Sequence, residues 1–396
     1  MSWEYIKLGE LYTVHNGLSK GRQFFGSGYP FLSFSTIFNN YFIPDELTDL
    51  VQSTEKEQES YSIQRGDVFV TRTSETSDEL GMSCVALKDY PHATYNGFTK
   101  RMRPIYPERV LPEYIGYYMR TPSFRGKFQA FSTMTTRASL RNEDLLGLMV
   151  ALPPLKTQHR IASILSAYDD LIENNQKQIK LLEEAAQRLY KEWFVDLRFP
   201  NYENTPVVDG VPEGWRKVKL YEIADIVMGQ SPKSEFYNND KHGLPFHQGV
   251  GSYSTRFVVD DTYSTSFTKI AETGSILFSV RAPVGRLNLT KNKIVIGRGL
   301  SAMNHKYGLQ SFLFYMLKER FYKDNIVGNG SIFASISKNE LLSQEFIVSD
   351  DELTKHYNAI VSDIDRKIES LDSQLQLLTE ARDRLLPKLM SGELEV

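Results

Sequence analysis

The chain has 396 residues, 41% of them hydrophobic, and a formal net charge of −3, which suits two to three globular domains. No apolar run reaches the ~18 residues a membrane span needs. A single cysteine, Cys84, allows no internal disulfide, and the opening MSWEYIKLGEL lacks the charged-then-apolar build of a secretory signal, so a cytoplasmic protein is expected.

The first element is WEYIKLGELYTVHNG, Trp3 to Gly17. Then comes GDVFVTR from Gly66, strand-like after a turn glycine. GFTKRMR, 97–103, holds three bases and no acid, and residues 109–141 hold six bases against one acid, Glu113. ASLRNEDLL follows from Ala138, and Leu152-Pro153-Pro154 stands ahead of a long amphipathic run. Proline cannot continue a helix interior but sits well just before one.

That run carries a seam at Ile161, Leu165, Tyr168, Ile172, Asn175, Ile179, Leu182, Ala186, Leu189 and Trp193, with steps alternating 4 and 3. A strict heptad seam of this kind predicts a left-handed coiled coil. Asn175 is its polar position, of the type that fixes register at a cost in stability. Pro200, Pro206, Gly210, Pro212 and Gly214 then punctuate a linker.

From Trp215 the chain repeats itself. WRKVKLYEIADIVMG, Trp215 to Gly229, matches the opening at an offset of 212 residues, with Leu11 against Ile223 and Val14 against Ile226. GSILFSV from Gly274 answers GDVFVTR. Residues 281–306 hold Arg281, Arg286, Lys291, Lys293, Arg298 and Lys306 and no acid. ASISKNELL from Ala334 answers ASLRNEDLL at an offset of 196. At that same offset QLQLLTEARDRLLPKLM, Gln374 to Met390, repeats QIKLLEEAAQRLYKEWF, Gln178 to Phe194. The second seam reads Tyr357, Val361, Ile364, Ile368, Leu371, Leu375, Leu378, Arg382, Leu385 and Leu389. Residues 350–396 carry eleven acids against six bases. Charge is thus segregated into basic stretches and an acidic helix.

These elements predict an α+β protein: two β-rich domains in internal repeat, each followed by a long helix, the two helices forming an antiparallel coiled coil. The boundaries are 1–153 for the first domain, 154–196 for the central helix, 197–214 for the linker, 215–349 for the second domain and 350–396 for the distal helix. Full antiparallel overlap sets Arg382 opposite Tyr168, within cation–π reach, unless its head snorkels to solvent.

The residues of a catalytic centre are missing. There is no GxxxxGK[ST] phosphate loop and no Asn/Asp-Pro-Pro-aromatic motif of amino-methyltransferases. Gly297–Gly299 and Gly328–Gly330 read as turn glycines. His242 and His247 are too isolated for a metal site, and Cys84 reads as a small buried residue. Asp365-Arg366-Lys367 resembles the tail of a nuclease array but falls on the coiled coil, where a solvated helix face is expected. No catalytic and no metal residue is assigned.

The stretch LPPLKTQHRIASILSAYDDLIENNQKQIKLLEEAAQRLYKEWFVDLRF resembles the central conserved region of specificity subunits from type I restriction–modification enzymes, in its Leu155, Gln158, Ile161, Leu165, Asp169 and Ile172 and in the Trp-Phe-Val-Asp after the helix. Gly274 to Pro283 is similar to that family's second-domain core, and the resemblance covers the whole chain. One departure is the distal helix start, where Asp351, Glu352, Thr354 and Tyr357 replace Leu155, Lys156, Gln158 and Ile161.

The resemblance implies a non-catalytic subunit whose two target-recognition domains each read half of a bipartite, asymmetric DNA site, with the helices as the ruler between them. It implies two modification subunits carrying S-adenosylmethionine, and restriction subunits adding ATP and Mg. The chain itself would bind none of these cofactors. Phosphate contacts are expected from Lys100, Arg101 and Arg103, and from Arg286, Lys291, Lys293 and Arg298. Base contacts are expected from Thr135, Thr136 and Arg137 and from Asn329 and Ser331, with Lys20, Arg22, Gln230 and Lys233 as further candidates. Two other classes remain open at this point: a coiled-coil assembly adaptor without a DNA role, and an autonomous DNA-modifying enzyme.

Overall fold

The computed structural model describes residues 3–74, 79–129, 138–321 and 335–396. It divides into two compact units, Met1–Asn174 with Gln374–Val396, and Asn175–Ser373. The division falls inside both long helices, so each unit holds one β-rich domain and a part of each helix.

In the first unit the strand Glu4–Lys7 pairs antiparallel with Met149–Leu152, closing the domain just ahead of the long helix. Its central sheet has the order Tyr12–Asn16, Thr99–Pro104, Val68–Thr71, Ser83–Val85, each pair antiparallel. A parallel pair lies beside it, with Phe31 opposite Thr94. The second unit repeats this. Arg216–Lys219 pairs with Glu345–Val348. The sheet order is Ala224–Met228, Leu300–His305, Ile276–Ser279, Leu287–Leu289, and Phe246 lies opposite Val295 in a parallel pair. The sequence repeat is therefore a repeat of topology.

The strand-like apolar runs are buried on both faces. Val68 and Val70 face one core and Phe69 the other, as a period of two requires. Ile276 and Phe278 are divided from Leu277 in the same way. Cys84 lies against Phe69 in the smaller core, and burial pushes its thiol up to about 12. The repeated Lys-Leu-x-Glu also has a local cause. Glu10 and Glu222 accept from the backbone N–H of Lys7 and Lys219 at the start of one-turn helices.

The long helices span Leu155–Phe194 and Asp351–Ser391. They start 196 residues apart although their first turns differ in sequence. Gln158 is buried and bonds the amide of Leu111 and the carbonyls of Arg109 and Pro153. Thr354, its counterpart, bonds Ser349 instead, and Asp350 caps the helix through the amide of Leu353. All predicted seam positions of both helices are buried or half-buried. Ile161 and Leu165 share a core with Leu386 and Leu389. In the second unit Trp193 meets Tyr357, their ring centroids 6.0 Å apart, and Ile179 clusters with Leu371. Numbers rise on one helix as they fall on the other, so the pair is antiparallel.

Two expectations for the helices are corrected. Arg382 neither snorkels nor takes Tyr168. It bonds Asp169 at 2.7 Å and Asp383 at 2.8 Å and lies over the Tyr41 ring. Burial would lower its pKa, but the two carboxylates outweigh that and hold it above the ordinary value. Asp365 is not on a solvated face. It accepts from Ser311, Tyr315 and Arg256.

Candidate nucleic-acid interface

In each unit the first strand of the central sheet ends at a glycine that presses against a turn. A Cβ on Gly17 would lie 2.0 Å from the Asn96 carbonyl oxygen, and one on Gly229 would lie 2.1 Å from that of Gly297. The pairing is alike in both. Gly17 and Leu18 donate to Thr99 and Tyr95, while Gly229 and Gln230 donate to Leu300 and Ile296. No other residue type permits this backbone approach, which accounts for the repeated glycine.

A short 3-10 turn follows at the same offset of 212, Arg22–Phe24 in one unit and Ser234–Phe236 in the other. Each presents an exposed phenylalanine, Phe24 at 37% and Phe236 at 38%. Phe98, on the facing turn of the first unit, is 59% exposed. Exposed rings beside cations suit contact with nucleic acid better than with water. Neither phenylalanine is among the residues expected from the sequence, although the 212 offset continues through RQF and SEF and aligns Phe24 with Phe236.

The sequence-predicted cations divide. Arg22 and Arg298 are exposed on these loops, as is Gln230. Lys233 is exposed and 3.8 Å from Glu235. Lys20 bridges the Gln52 carbonyl and Glu57 and lies over Phe24. Lys293 is exposed and paired with Glu272 at 3.0 Å. Arg286 is half-buried in a cavity of about 480 Å³ beside Phe314 and Lys318.

Four of the predicted phosphate contacts are structural instead. Lys100 is buried and bonds Asn142; desolvation, then Arg72, lowers its pKa. Arg101 is buried against Tyr95 and donates to the Ser62 carbonyl. Arg103 makes two bonds, 2.8 and 2.6 Å, to the fully buried Asp67, which raises its pKa. Lys291 reaches Asp372 at 2.5 Å and Ser373 at 3.2 Å. A strand with both faces covered must pair its charges internally or leave them desolvated. Thr135, Thr136, Arg137, Asn329 and Ser331, with Gly328 and Gly330, lie outside the described residues.

Among the described residues no cluster of His, Cys, Asp and Glu is placed to hold a metal. His247 is buried between Ser252 at 2.7 Å and Asp260 at 3.0 Å. No helix is long and apolar enough to cross a membrane among those residues.

The outer faces of the long helices carry a second candidate surface. Leu181, Glu184, Ala185 and Arg188 fall at i, i+3, i+4 and i+7, one helical face. Leu377, Glu380, Ala381 and Arg384 repeat it residue for residue. The two leucines are 63% and 67% exposed, and the glutamates and arginines are exposed in both. Packing one helix against the other explains why the seam recurs. It does not explain why the opposite face recurs.

The comparisons with known proteins agree with one another. The model of the type I restriction modification DNA specificity domain matches residues 1–184 and 212–380. The type I restriction enzyme MjaIX specificity subunit of Methanocaldococcus jannaschii is 27% identical, over 100% of this chain and 94% of the relative. The HindI specificity subunit of Haemophilus influenzae is 22% identical over 99% of each. Among solved structures, the S subunit of a type I restriction–modification system from M. genitalium aligns over 98% of this chain and 96% of its own, at 17% identity and a TM-score of 0.59. That likeness speaks for the fold.

Proposed function

This chain belongs to the family of type I restriction–modification DNA specificity subunits, and from that premise we propose that it recognises a bipartite, asymmetric site in double-stranded DNA and directs modification subunits to it. The observation that carries the reading is the duplicated loop-and-turn at Gly17 and Gly229, one per unit, each with its exposed phenylalanine and cations. Each unit reads one half-site. Arg22, Arg298 and Lys233 take backbone phosphates and fix position, while neighbouring side chains on the loops read base edges.

The repeated outer stripes support two equivalent partners. One modification subunit docks on Leu181, Glu184, Ala185 and Arg188, and its twin on Leu377, Glu380, Ala381 and Arg384. Those partners supply S-adenosylmethionine and transfer its methyl group to adenine. Restriction subunits, where the system includes them, supply ATP and Mg. The chain is non-catalytic, acts in the cytoplasm, and contributes sequence choice and the fixed span between half-sites.

The test is a methylome. The chain is expressed in a methylation-free bacterial host with and without its modification subunit, and modified adenine is mapped. A split asymmetric motif that needs both proteins is the expected result. Methylation without the partner would make the chain an enzyme itself. Absence of methylation together with absence of partner binding would leave a coiled-coil adaptor.

A further inference from the structure

The second unit holds a cavity of about 870 Å³ whose lining includes Ser231, Tyr237, Phe246, Gln248 and Arg298. It opens beside the Gly229 loop and the 297–299 turn, the surface assigned above to DNA. Tyr237 and Phe246 stack 4.7 Å apart along its wall. Gln248 is exposed at its rim, at the end of the strand Leu244–His247.

Gln248 is held in place. The backbone is anchored to the facing turn, with Gly297 donating to the His247 carbonyl at 2.8 Å and Gly299 to that of Gln248 at 3.2 Å. Ser231 Oγ donates to Gln248 Oε1 at 2.7 Å and accepts from the backbone amide of Arg298 at 3.2 Å. The turn glycines make this possible. A Cβ on Gly297 would lie 2.6 Å from Oε1, and one on Gly299 would lie 2.5 Å from the Gln248 carbonyl oxygen.

The remaining hydrogen-bonding capacity has a definite shape. A carboxamide oxygen has two lone pairs and its nitrogen two protons. Ser231 occupies one lone pair, and no described residue is bonded to Nε2. What is left is one lone pair and both amide protons, enough for one acceptor and one donor to act together on a base edge. In the major groove, adenine offers the complementary N6 donor and N7 acceptor, whereas guanine offers two acceptors.

The equivalent place in the first unit is built differently. Phe31 and Phe246 occupy the same position in their parallel pairs, so Ser33 corresponds to Gln248. Ser33 caps the helix Phe34–Asn39 by accepting from the Thr36 amide. One scaffold thus carries different chemistry where two different half-sites have to be told apart.

Resting on the specificity reading above, we infer that Gln248 reads an adenine in the half-site bound by the second unit, with Ser231 as its positioning residue. The experiment uses the complex of this chain with its modification subunit. Bound duplexes are selected from a library randomised over both half-sites and sequenced, which reads preference whether or not the base is methylated. Gln248→Ala should lose a preference for adenine of roughly 5- to 150-fold at one position of one half-site, the range for a bidentate contact. All other positions should be unchanged. Gln248→Glu, an acceptor only, should move that position toward cytosine, and Ser231→Ala should weaken the same position by less. An unchanged motif in Gln248→Ala, or a change spread over both half-sites, overturns the assignment. A wild-type complex that enriches no motif overturns the specificity reading and this inference with it.

Discussion

Tyr117 donates its phenolic proton to Asp169 at 2.5 Å. The bond ties the recognition domain of the first unit to the first long helix. In the second unit Tyr315 does the same to Asp365 at 3.1 Å, and the two aspartates are 196 residues apart. The cations differ. Arg382 comes to Asp169 from the other helix, whereas Arg256 comes to Asp365 from the β-rich domain. Tyr117→Phe should therefore lower the unfolding free energy of the first unit by about 1.5–3 kcal/mol, the range for a hydrogen bond to a charged group. The urea midpoint reads it, and an unchanged midpoint would make the bond energetically neutral.

Arg256 is buried, 2% exposed, between Glu183 and Asp365, with its guanidinium 4.0 Å from the Phe314 ring centroid. Truncation leaves the largely buried carboxylates of Glu183 and Asp365 without their shared guanidinium, Glu183 keeping only Lys318 at 3.8 Å among the described ion pairs. Arg256→Ala should destabilise the second unit by about 3–5 kcal/mol, measured by denaturant unfolding. A loss below ~1 kcal/mol would mean that water enters and replaces the guanidinium.

The glycines at the interface make a paired prediction. Gly17→Ala should impair recognition at one half-site and Gly229→Ala at the other, because each added methyl displaces only its own turn. Selection from a randomised duplex library reads both halves at once. Equal damage to both halves by either change would show that the turns act on assembly rather than on reading.

Inserting four residues beside Asn175 lengthens a helix by ~6 Å and slightly more than one turn. A base pair spans ~3.4 Å. With a matching insertion on the second helix or without one, the methylated motif should gain one or two base pairs of spacer. An unchanged spacer would refute the ruler.

The outer stripes predict stoichiometry. Leu181→Arg should leave one modification subunit bound instead of two, Leu377→Arg likewise, and the double change none. Both side chains are more than half exposed, so the melting temperature should stay where it is. Mass measurement of the purified complex decides this, and two subunits retained on the double variant would place docking elsewhere.

Much of this architecture is legible because it is periodic. The seam from Ile161 to Trp193 obeys steps of 3 and 4, and each such step is a local consequence of 3.6 residues per turn. The offsets of 196 and 212 mark two domains of one design from the residue spacing alone. Even the register was accessible, since Trp193 meets Tyr357 where matched seams place it.

Side-chain destinations were not accessible in that way. Lys100, Arg101 and Arg103 look like a basic patch in sequence, but they sit on a strand covered on both faces, and Ser62, Asp67 and Asn142 take them up. Arg382 found Asp169 and Tyr41, and Asp365 found Arg256. Gln248 is held by Ser231, seventeen residues earlier in the chain, and lies against the two glycines of a distant turn. By itself the sequence determined the repeat, the helices and their pairing, because those depend on spacing along the chain. The tertiary structure alone decided which charges are structural and which face outward, because a charged group's partner is chosen by burial and proximity in space.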